Sequence, residues 1–361
     1  MKIAVLGYGT VGRSICKYIE GDSKDIQVAY VLRRPGKATE PFMTEGFDEI
    51  LNDPSVGIVV DALSGRVDSY DYMKRALLSG KHVVTANKAA VAYGMEELCR
   101  IAVDHNVNLK YEATSAGTIP IVAEIVSTTH TNYLSAVYGI LNGTTNFIID
   151  KMLTEGSEFD ATLKEAQRLG YAEADPTADI GGFDVKNKII ILASTAYHGF
   201  VTGDIPVFGI ELLTKKILDD YAAKGKTIKL MGISVRKDND YALGVVPCVI
   251  DMDSLEAHVP LNNNIVTIVG DMCGELKFYG QGAGGAPTAD ALLRDIYSIF
   301  NSVNIDVEFQ FFRKLNYVPE MLKGAGYIGN DRVEGTLEEI VAEAKRRNEF
   351  VAFECPELFK A

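Results

Sequence analysis

The sequence predicts an α/β protein in two parts, a doubly wound parallel-sheet (Rossmann) domain joined to an α+β domain. Three observations predict it. Short apolar runs alternate with helical patterns through about the first 130 residues, the order that builds parallel strands joined by crossover helices. A glycine triplet, Gly7, Gly9 and Gly12, directly follows the first of those runs and opens a helix. The 361 residues also exceed the roughly 250 to 300 at which a single core stops growing, so two cores are expected.

Taken in order, Ile3 to Leu6 reads as the first strand, followed by the glycine loop and a helix through Val11, Ile15 and Ile19. Ile26 to Leu32 is the second strand, Val56 to Ala62 the third and His82 to Thr85 the fourth, with a helix at Tyr70 to Leu78. Leu109 to Glu112 adds a strand before the turn Ser115 to Pro120, and Ile121 to Ser127 reads as a helix leading out of the first domain. From Leu134 the segments lengthen. A strand is expected at Ala136 to Leu141, helices at Asn146 to Leu153 and Thr162 to Leu169, and another helix from Asp184 through the apolar run Ile189 to Ala193. Ala242 to Val249 and Ile265 to Asp271 alternate as strands, so the second domain should be a sheet with helices on one face. Thr288 to Phe300 has helical spacing, Val307 to Phe312 is strand-like, and the stretch from Asp331 to Ala361 holds one charged helix, Leu337 to Arg347.

Composition narrows the class of function. A hydrophobic fraction of 47% with 24% charged residues is ordinary for a globular protein, and no apolar run approaches the roughly 18 to 20 residues of a membrane span. A net charge of −13 argues against a phosphate-backbone partner, so neither nucleic acid nor membrane is expected. The chain opens on its first strand rather than a basic leader, and Cys16, Cys99, Cys248, Cys273 and Cys355 stand singly. Reduced thiols in a cytoplasm are the expectation. His82, His105, His130, His198 and His258 show no metal-ligand spacing, so no catalytic metal is expected.

Five segments carry chemistry. In the first, Gly7-Tyr-Gly-Thr-Val-Gly12, glycines at a strand-to-helix turn let backbone approach a pyrophosphate held at the helix amino terminus by Thr10, Val11 and Gly12. Where a ribose-binding acid would end the second strand, Arg33, Arg34 and Lys37 stand instead. They fit either a 2′-phosphate or a solvated surface run. The second segment, Val83 to Lys88, places Lys88 just past a strand at the carboxyl edge of the parallel sheet, where ligands bind. In the third, Asn142-Gly-Thr-Thr145 leaves a strand and enters a helix, so its donors could hold a carboxylate, position an aldehyde or simply cap the helix. The fourth, Gly170 to Lys188, gathers Glu173, Asp175, Asp179 and Asp184 ahead of Lys188 on short connections. Asp184 and Lys188 fall four apart on one helix face, which alone would be a surface pair of about 0.2 to 0.5 kcal/mol. The fifth, Gly280-Gln-Gly-Ala-Gly-Gly-Ala-Pro-Thr-Ala289, is a glycine-rich loop before a helix.

Together these segments resemble homoserine dehydrogenase, in one order over about residues 1 to 302. The resemblance implies an NAD(P)-dependent oxidoreductase that interconverts L-homoserine and L-aspartate 4-semialdehyde on the route to threonine and methionine, with NADP expected ahead of NAD. It implies a dinucleotide-binding domain over 1–130 completed by about 286–325, a substrate-binding and dimerisation domain over 131–285, and a tail of unassigned role over 326–361. Lys188 becomes the proton donor to the aldehyde oxygen, Lys88 its partner in polarising that oxygen, and Asp184 the residue that orients Lys188. Two lysines in one pocket lower each other's pKa. Glu173, Asp179 and Asp184 then surround the substrate's ammonium and hydroxyl groups with Tyr171 lining the same pocket, Gly143 and Thr144 contact its amino-acid part, and Gly282 joins the cofactor loop. Glu112-Ala-Thr-Ser-Ala-Gly-Thr-Ile-Pro120 is similar to the family turn near which a monovalent cation such as Na+ is bound, here by Glu112 and the carbonyls of Ser115, Gly117 and Ile119. Thr118 replaces a common glycine, and positive φ there would force a remodelled turn. A homodimer is the implied assembly.

Two rival readings stand beside this one: a dehydrogenase of another small amino or hydroxy acid, separable by a substrate screen, and a catalytically silent nucleotide-binding sensor. Lys88, Asp184 and Lys188 together argue against the sensor. Longer family members append a βαββαβ (ACT) regulatory domain of about 70 residues. About 59 residues follow Ser302 and only one clear helix is read among them, so a short form insensitive to threonine is expected.

Overall fold

The computed structural model describes residues 1–22, 25–301 and 312–354. The strand-like Val307 to Phe312 lies outside this description except for its last residue, as does Cys355. The chain divides into two compact units, 1–123 with 284–312 and 124–283 with 313–361.

In the first unit, with elements numbered along the whole chain, β1 (Lys2–Leu6), β2 (Gln27–Leu32), β3 (Met43–Thr44), β4 (Val56–Asp61), β5 (His82–Thr85) and β6 (Leu109–Lys110) form one sheet in the order β3-β2-β1-β4-β5-β6. Every pairing is parallel. α1 (Thr10–Asp22), α2 (Phe47–Asn52), α3 (Arg66–Leu78) and α4 (Lys88–Asp104) are the connections, and the late helix α11 (Gly285–Asn301) belongs to the same unit. Ile3, Val5, Val31, Ile58 and Val60 from the sheet pack with Ile15 and Ile19 of α1 and Leu292 and Ile296 of α11 in one buried core. Strands buried on both faces read as continuous apolar runs, which is why they were legible. The strand order reverses between β1 and β4, the switch point where open α/β sheets bind ligands. The expected strand Leu109 to Glu112 is shorter. Tyr111 turns the backbone, and Glu112–Thr114 forms a 3₁₀ turn instead.

The chain leaves this unit within α5 (Ile121–Thr129). The second unit holds β7 (Leu134–Ile140), α6 (Gly143–Thr154), α7 (Phe159–Arg168), α8 (Thr177–Ile180), α9 (Phe183–Tyr197), α10 (Lys215–Ala222), β8 (Lys226–Lys237), β9 (Asp240–Asp251), β10 (Asn263–Gly270) and β11 (Gly274–Gln281). It is completed by β12 (Asn316–Tyr317), β13 (Lys323–Ile328), β14 (Asp331–Thr336), α12 (Leu337–Arg347) and β15 (Val351–Glu354). The strands make one mixed sheet, β11-β10-β7-β8-β9-β15-β13-β14, with β12 also on β9. The helix expected from Asn146 begins at Gly143, because the Asn142 side chain caps it by accepting the Thr145 N–H.

The sequence reading missed β8, whose apolar residues alternate at Ile228 and Leu230 and then, after Met231 and Gly232, change phase to Ile233 and Val235, so no single period-2 pattern spans it. It also missed the strands of the tail. Residues 313–325, expected with the nucleotide domain, fall in the second unit, where Asn316 and Tyr317 pair with Asp240 and Tyr241. Beyond them, β15 lies parallel to β9 and carries the β13–β14 hairpin outward. Only α12 was visible in advance, with Thr336 and Glu339 making a capping box at its start.

Candidate active site

In the first unit the glycine loop connects β1 to α1. Gly7 sits at φ 95°, and a Cβ on Gly12 would lie 2.2 Å from the Gly7 carbonyl oxygen, so only glycine lets the helix start this close to the strand. Gly9 and Thr10 are exposed, and a Cβ on Gly9 would meet no protein atom within 4 Å. The leading amides of α1 have no carbonyls within their own helix, the arrangement that suits a helix terminus to an anion. A Cβ on Gly285, the first residue of α11, would come within 2.5 Å of the Thr10 methyl, so the late helix packs against the same loop.

Past β2, Arg33 is half-buried while Arg34 and Lys37 are exposed. Arg33 stacks over the Tyr8 ring at 5.4 Å and Arg13 over the same ring at 5.3 Å, with Arg13 Nε donating to the Tyr8 carbonyl at 3.1 Å. Tyr8 and Arg13 were not singled out in the sequence, although one stands between two of the loop glycines and the other follows the third. The Lys37 and Ala38 amides both donate to Glu45 Oε1, at 3.1 and 3.2 Å, so these two backbone donors are already engaged.

Lys88 is half-buried at the first position of α4. Asn87 caps that helix through the Ala90 N–H and donates to the carbonyls of Leu63 and Gly65, while its own N–H donates to Thr85 Oγ1. Thr85 in turn donates to Asp61 at 2.8 Å. Asp61 is fully buried, and burial raises its pKa. This chain of bonds fixes where α4 begins, and so where Lys88 stands.

The Glu112 turn belongs to the same unit. Its carboxylate accepts from the Val122 and Ala123 amides at 3.0 and 2.8 Å, and its N–H donates to Asp295 Oδ2 at 2.9 Å. Burial raises the Glu112 pKa, while burial with the neighbouring Glu112 pushes Asp295 up to about 8. Positive φ falls on Ala116 and Gly117 rather than Thr118, so the threonine needs no remodelled turn, and Arg294 donates to its carbonyl at 2.9 Å. Among the described residues no group of three or more His, Cys, Asp or Glu side chains is arranged to hold a metal ion.

In the second unit, Asp184 and Lys188 lie one turn apart on α9, both about 6% exposed, with Nζ 2.7 Å from Asp184 Oδ2. Lys188 also donates to the Leu141 carbonyl at 2.6 Å, at the end of β7. The bland surface pair is thereby excluded. Asn142 Nδ2 donates to Asp179 Oδ1 at 2.7 Å and to Asp184 Oδ2 at 2.9 Å, so one amide ties together two acids and the helix it caps. Thr144 donates to the Tyr171 carbonyl at 2.6 Å, and the Tyr171 ring meets Phe147 edge-on at 5.1 Å. The structure therefore brings Gly143, Thr144, Tyr171, Asp179, Asp184 and Lys188 together around the start of α6. Glu173 is exposed on the loop after Tyr171, where its carbonyl accepts from Gln167. Asp175 is spent on its own turn, accepting from the Thr177 N–H and hydroxyl, which lowers its pKa. Gly282 packs on buried Asn264, whose amide a Cβ there would strike at 2.2 Å. Asn142 is the residue that the sequence reading left out of the site. Its cue was its place before the Gly-Thr-Thr run, where a cap was already expected.

Two family models match most of the chain. A family model described as homoserine dehydrogenase, NAD binding domain, matches residues 7–112, and one described as homoserine dehydrogenase matches residues 120–297. The chain is 34% identical over 343 residues to a homoserine dehydrogenase of Bacillus subtilis, covering 89% of this chain and 78% of that one. It is 38% identical over 314 residues to that of Corynebacterium glutamicum, covering 81% and 70%. A crystal structure of a homoserine dehydrogenase from Thiobacillus denitrificans superposes with a TM-score of 0.84 at 32% identity, covering 91% of this chain and 82% of that one.

Proposed function

The chain belongs to the homoserine dehydrogenase family, and from that premise we propose how its residues divide the work. It is an NAD(P)-dependent oxidoreductase that interconverts L-homoserine and L-aspartate 4-semialdehyde in amino-acid biosynthesis. A nicotinamide cofactor, when bound, would supply the hydride-accepting and hydride-donating chemistry at the alcohol carbon. Everything else falls to the protein.

Lys188 moves the proton at the substrate oxygen, giving it in reduction and accepting it in oxidation. The observation that carries this assignment is its burial with a 2.7 Å ion pair to Asp184 and a 2.6 Å bond to the Leu141 carbonyl, which aim a lysine that would otherwise be loose. Asp179 and Glu173 receive the substrate ammonium, with Tyr171 beside them, and Gly143 and Thr144 hold the amino-acid end. Lys88 stands on the cofactor side. The glycine loop with Thr10 and Val11 takes the pyrophosphate, with Gly282 in the second cofactor loop. Arg33, Arg34 and Lys37 favour NADP through its 2′-phosphate, and Arg13 belongs with them because it shares the Tyr8 ring with Arg33. A monovalent cation at Glu112 and the carbonyls of Ser115, Gly117 and Ile119 fits one feature of that turn: two buried acids, Glu112 and Asp295, lie together there. A homodimer in the cytoplasm completes the reading. β11 ends its sheet among the described residues and exposes Tyr279, an edge a second copy would cover.

The test is homoserine oxidation followed by reduced-cofactor absorbance with NADP and NAD in parallel. Turnover of homoserine with preference for NADP is expected; failure on homoserine with turnover of another hydroxy acid would overturn the substrate. Glu173→Ala should raise the homoserine KM ahead of any fall in kcat, because an ammonium contact is made in ground and transition states alike.

A further inference from the structure

The second unit buries another lysine that the chemistry does not use. Lys229 lies near the start of β8, 1% exposed, and its ammonium donates to Asn146 Oδ1 at 2.8 Å and to the Val259 carbonyl at 3.0 Å. These partners are neutral, and burial without a touching counter-charge is costly for an ammonium. Its pKa is accordingly pushed down to about 8 by burial, with Asp150 acting against that shift.

The rest of the arrangement shows what the lysine holds. Asn146 sits one turn beyond Asn142 on α6, and its Nδ2 donates to the carbonyls of Val259, Leu261 and Asn263 at 3.0, 2.8 and 3.3 Å. One further turn along, Asp150 Oδ2 accepts the Leu261 N–H at 2.9 Å. Lys229, Asn146 and Asp150 thus grip one irregular segment at Val259, Leu261 and Asn263. Leu261 is held there at φ 51°, a conformation a leucine adopts only under constraint. Between the gripped positions, Asn262 presses on the head of α6: a Cβ on Gly143 would stand 2.6 Å from the Asn262 carbonyl oxygen. Gly143 and Thr144 are the residues assigned to the amino-acid end of the substrate.

We propose that Lys229, Asn146 and Asp150 form a positioning clamp which, through the 259–263 segment, sets the Gly143–Thr144 backbone for substrate binding. The clamp rests on the substrate reading given above. None of the three touches the reacting atoms; they act through Asn262 and Gly143.

The test uses the full-length protein with Lys229→Met, Asp150→Ala, Asp150→Asn and, as a reference for the subsite, Thr144→Val. Kinetics are measured with homoserine and cofactor varied separately, alongside thermal melting. Lys229→Met and Asp150→Ala should raise the homoserine KM by about tenfold while kcat and the cofactor KM change by less than about threefold, the split expected when ground-state positioning is lost. Asp150→Asn keeps an acceptor for Leu261 and should restore the homoserine KM. Lower melting temperatures with an unchanged homoserine KM would make the trio purely structural and overturn the clamp. If Lys229→Met does not fold, the half-buried Asp150 pair carries the same comparison. A wild-type KM in Thr144→Val would overturn the subsite and the clamp with it, whereas a changed Thr144→Val beside a wild-type Asp150→Ala overturns the clamp alone.

Discussion

Replacing Asn142 with aspartate tests the centre of the candidate site, because the substitution keeps shape and helix cap but turns a shared donor into a third carboxylate. The new oxygen would stand where Nδ2 now lies 2.7 Å from Asp179 and 2.9 Å from Asp184. Two unit charges at about 2.8 Å with an effective dielectric of about 20 repel by about 6 kcal/mol per pair. Holding a proton on a carboxyl of ordinary pKa near 3.9 costs about 4 kcal/mol at pH 7. The smaller cost wins, so the folded variant keeps a proton and the loss of stability is capped near 4 kcal/mol at pH 7. The sign follows from a folded pKa raised above the unfolded one. The proton is released on unfolding, so the penalty vanishes below about pH 4 and grows by about 1.4 kcal/mol per pH unit until the folded pKa is passed. Urea unfolding of variant and wild type at pH 5, 6 and 7 should therefore show a difference of about 1.5 kcal/mol at pH 5 rising to about 4 at pH 7. A difference that is flat with pH would refute the reasoning, since it would mean that Asn142 does not hold the acids together.

Lys188→Ala should lower kcat by about 10²- to 10⁴-fold while cofactor affinity, measured by fluorescence titration, stays near wild type; near-normal turnover would remove Lys188 from proton transfer. Arg33→Ala with Arg34→Ala should weaken NADP binding by about 1.5 to 3 kcal/mol and leave NAD binding nearly unchanged, and equal losses by calorimetry would place these arginines elsewhere than at a 2′-phosphate. Asp295→Asn keeps an acceptor for the Glu112 N–H and should stabilise the protein. Because the folded Asp295 pKa is raised to about 8, wild-type stability falls as pH rises from about 4 to 8, so the variant's advantage should grow over that window and level off above it, with a ceiling of about 4 kcal/mol at pH 7. Equal melting temperatures for the two proteins at pH 6 and pH 8 would contradict the buried protonated acid.

Several features were fixed by residues near one another in the chain. Gly7 and Gly12 announce a strand-to-helix turn because the first takes a positive φ and the second lies too close to the Gly7 carbonyl for a side chain, and Asp184 with Lys188 announces a pair because helix geometry puts residues four apart side by side. The parallel strands of the first unit were legible for the same reason, as short apolar runs separated by helical patterns. Local pattern could not say which distant groups would meet. Asn142 reaches Asp184 across 42 positions, Lys188 reaches Leu141 across 47, and Lys229 reaches Asn146 across 83. Nor could it show that β15 would lie against β9, since strand pairing is settled by backbone hydrogen bonds that carry no side-chain signature. The sequence by itself determined the family, the glycine turn between β1 and α1, and the lysine with its carboxylate. Tertiary structure alone decided that Asn142 would join the acids and that Glu173 would stand exposed, because burial and hydrogen-bond partnership belong to the packed assembly of segments rather than to any one of them.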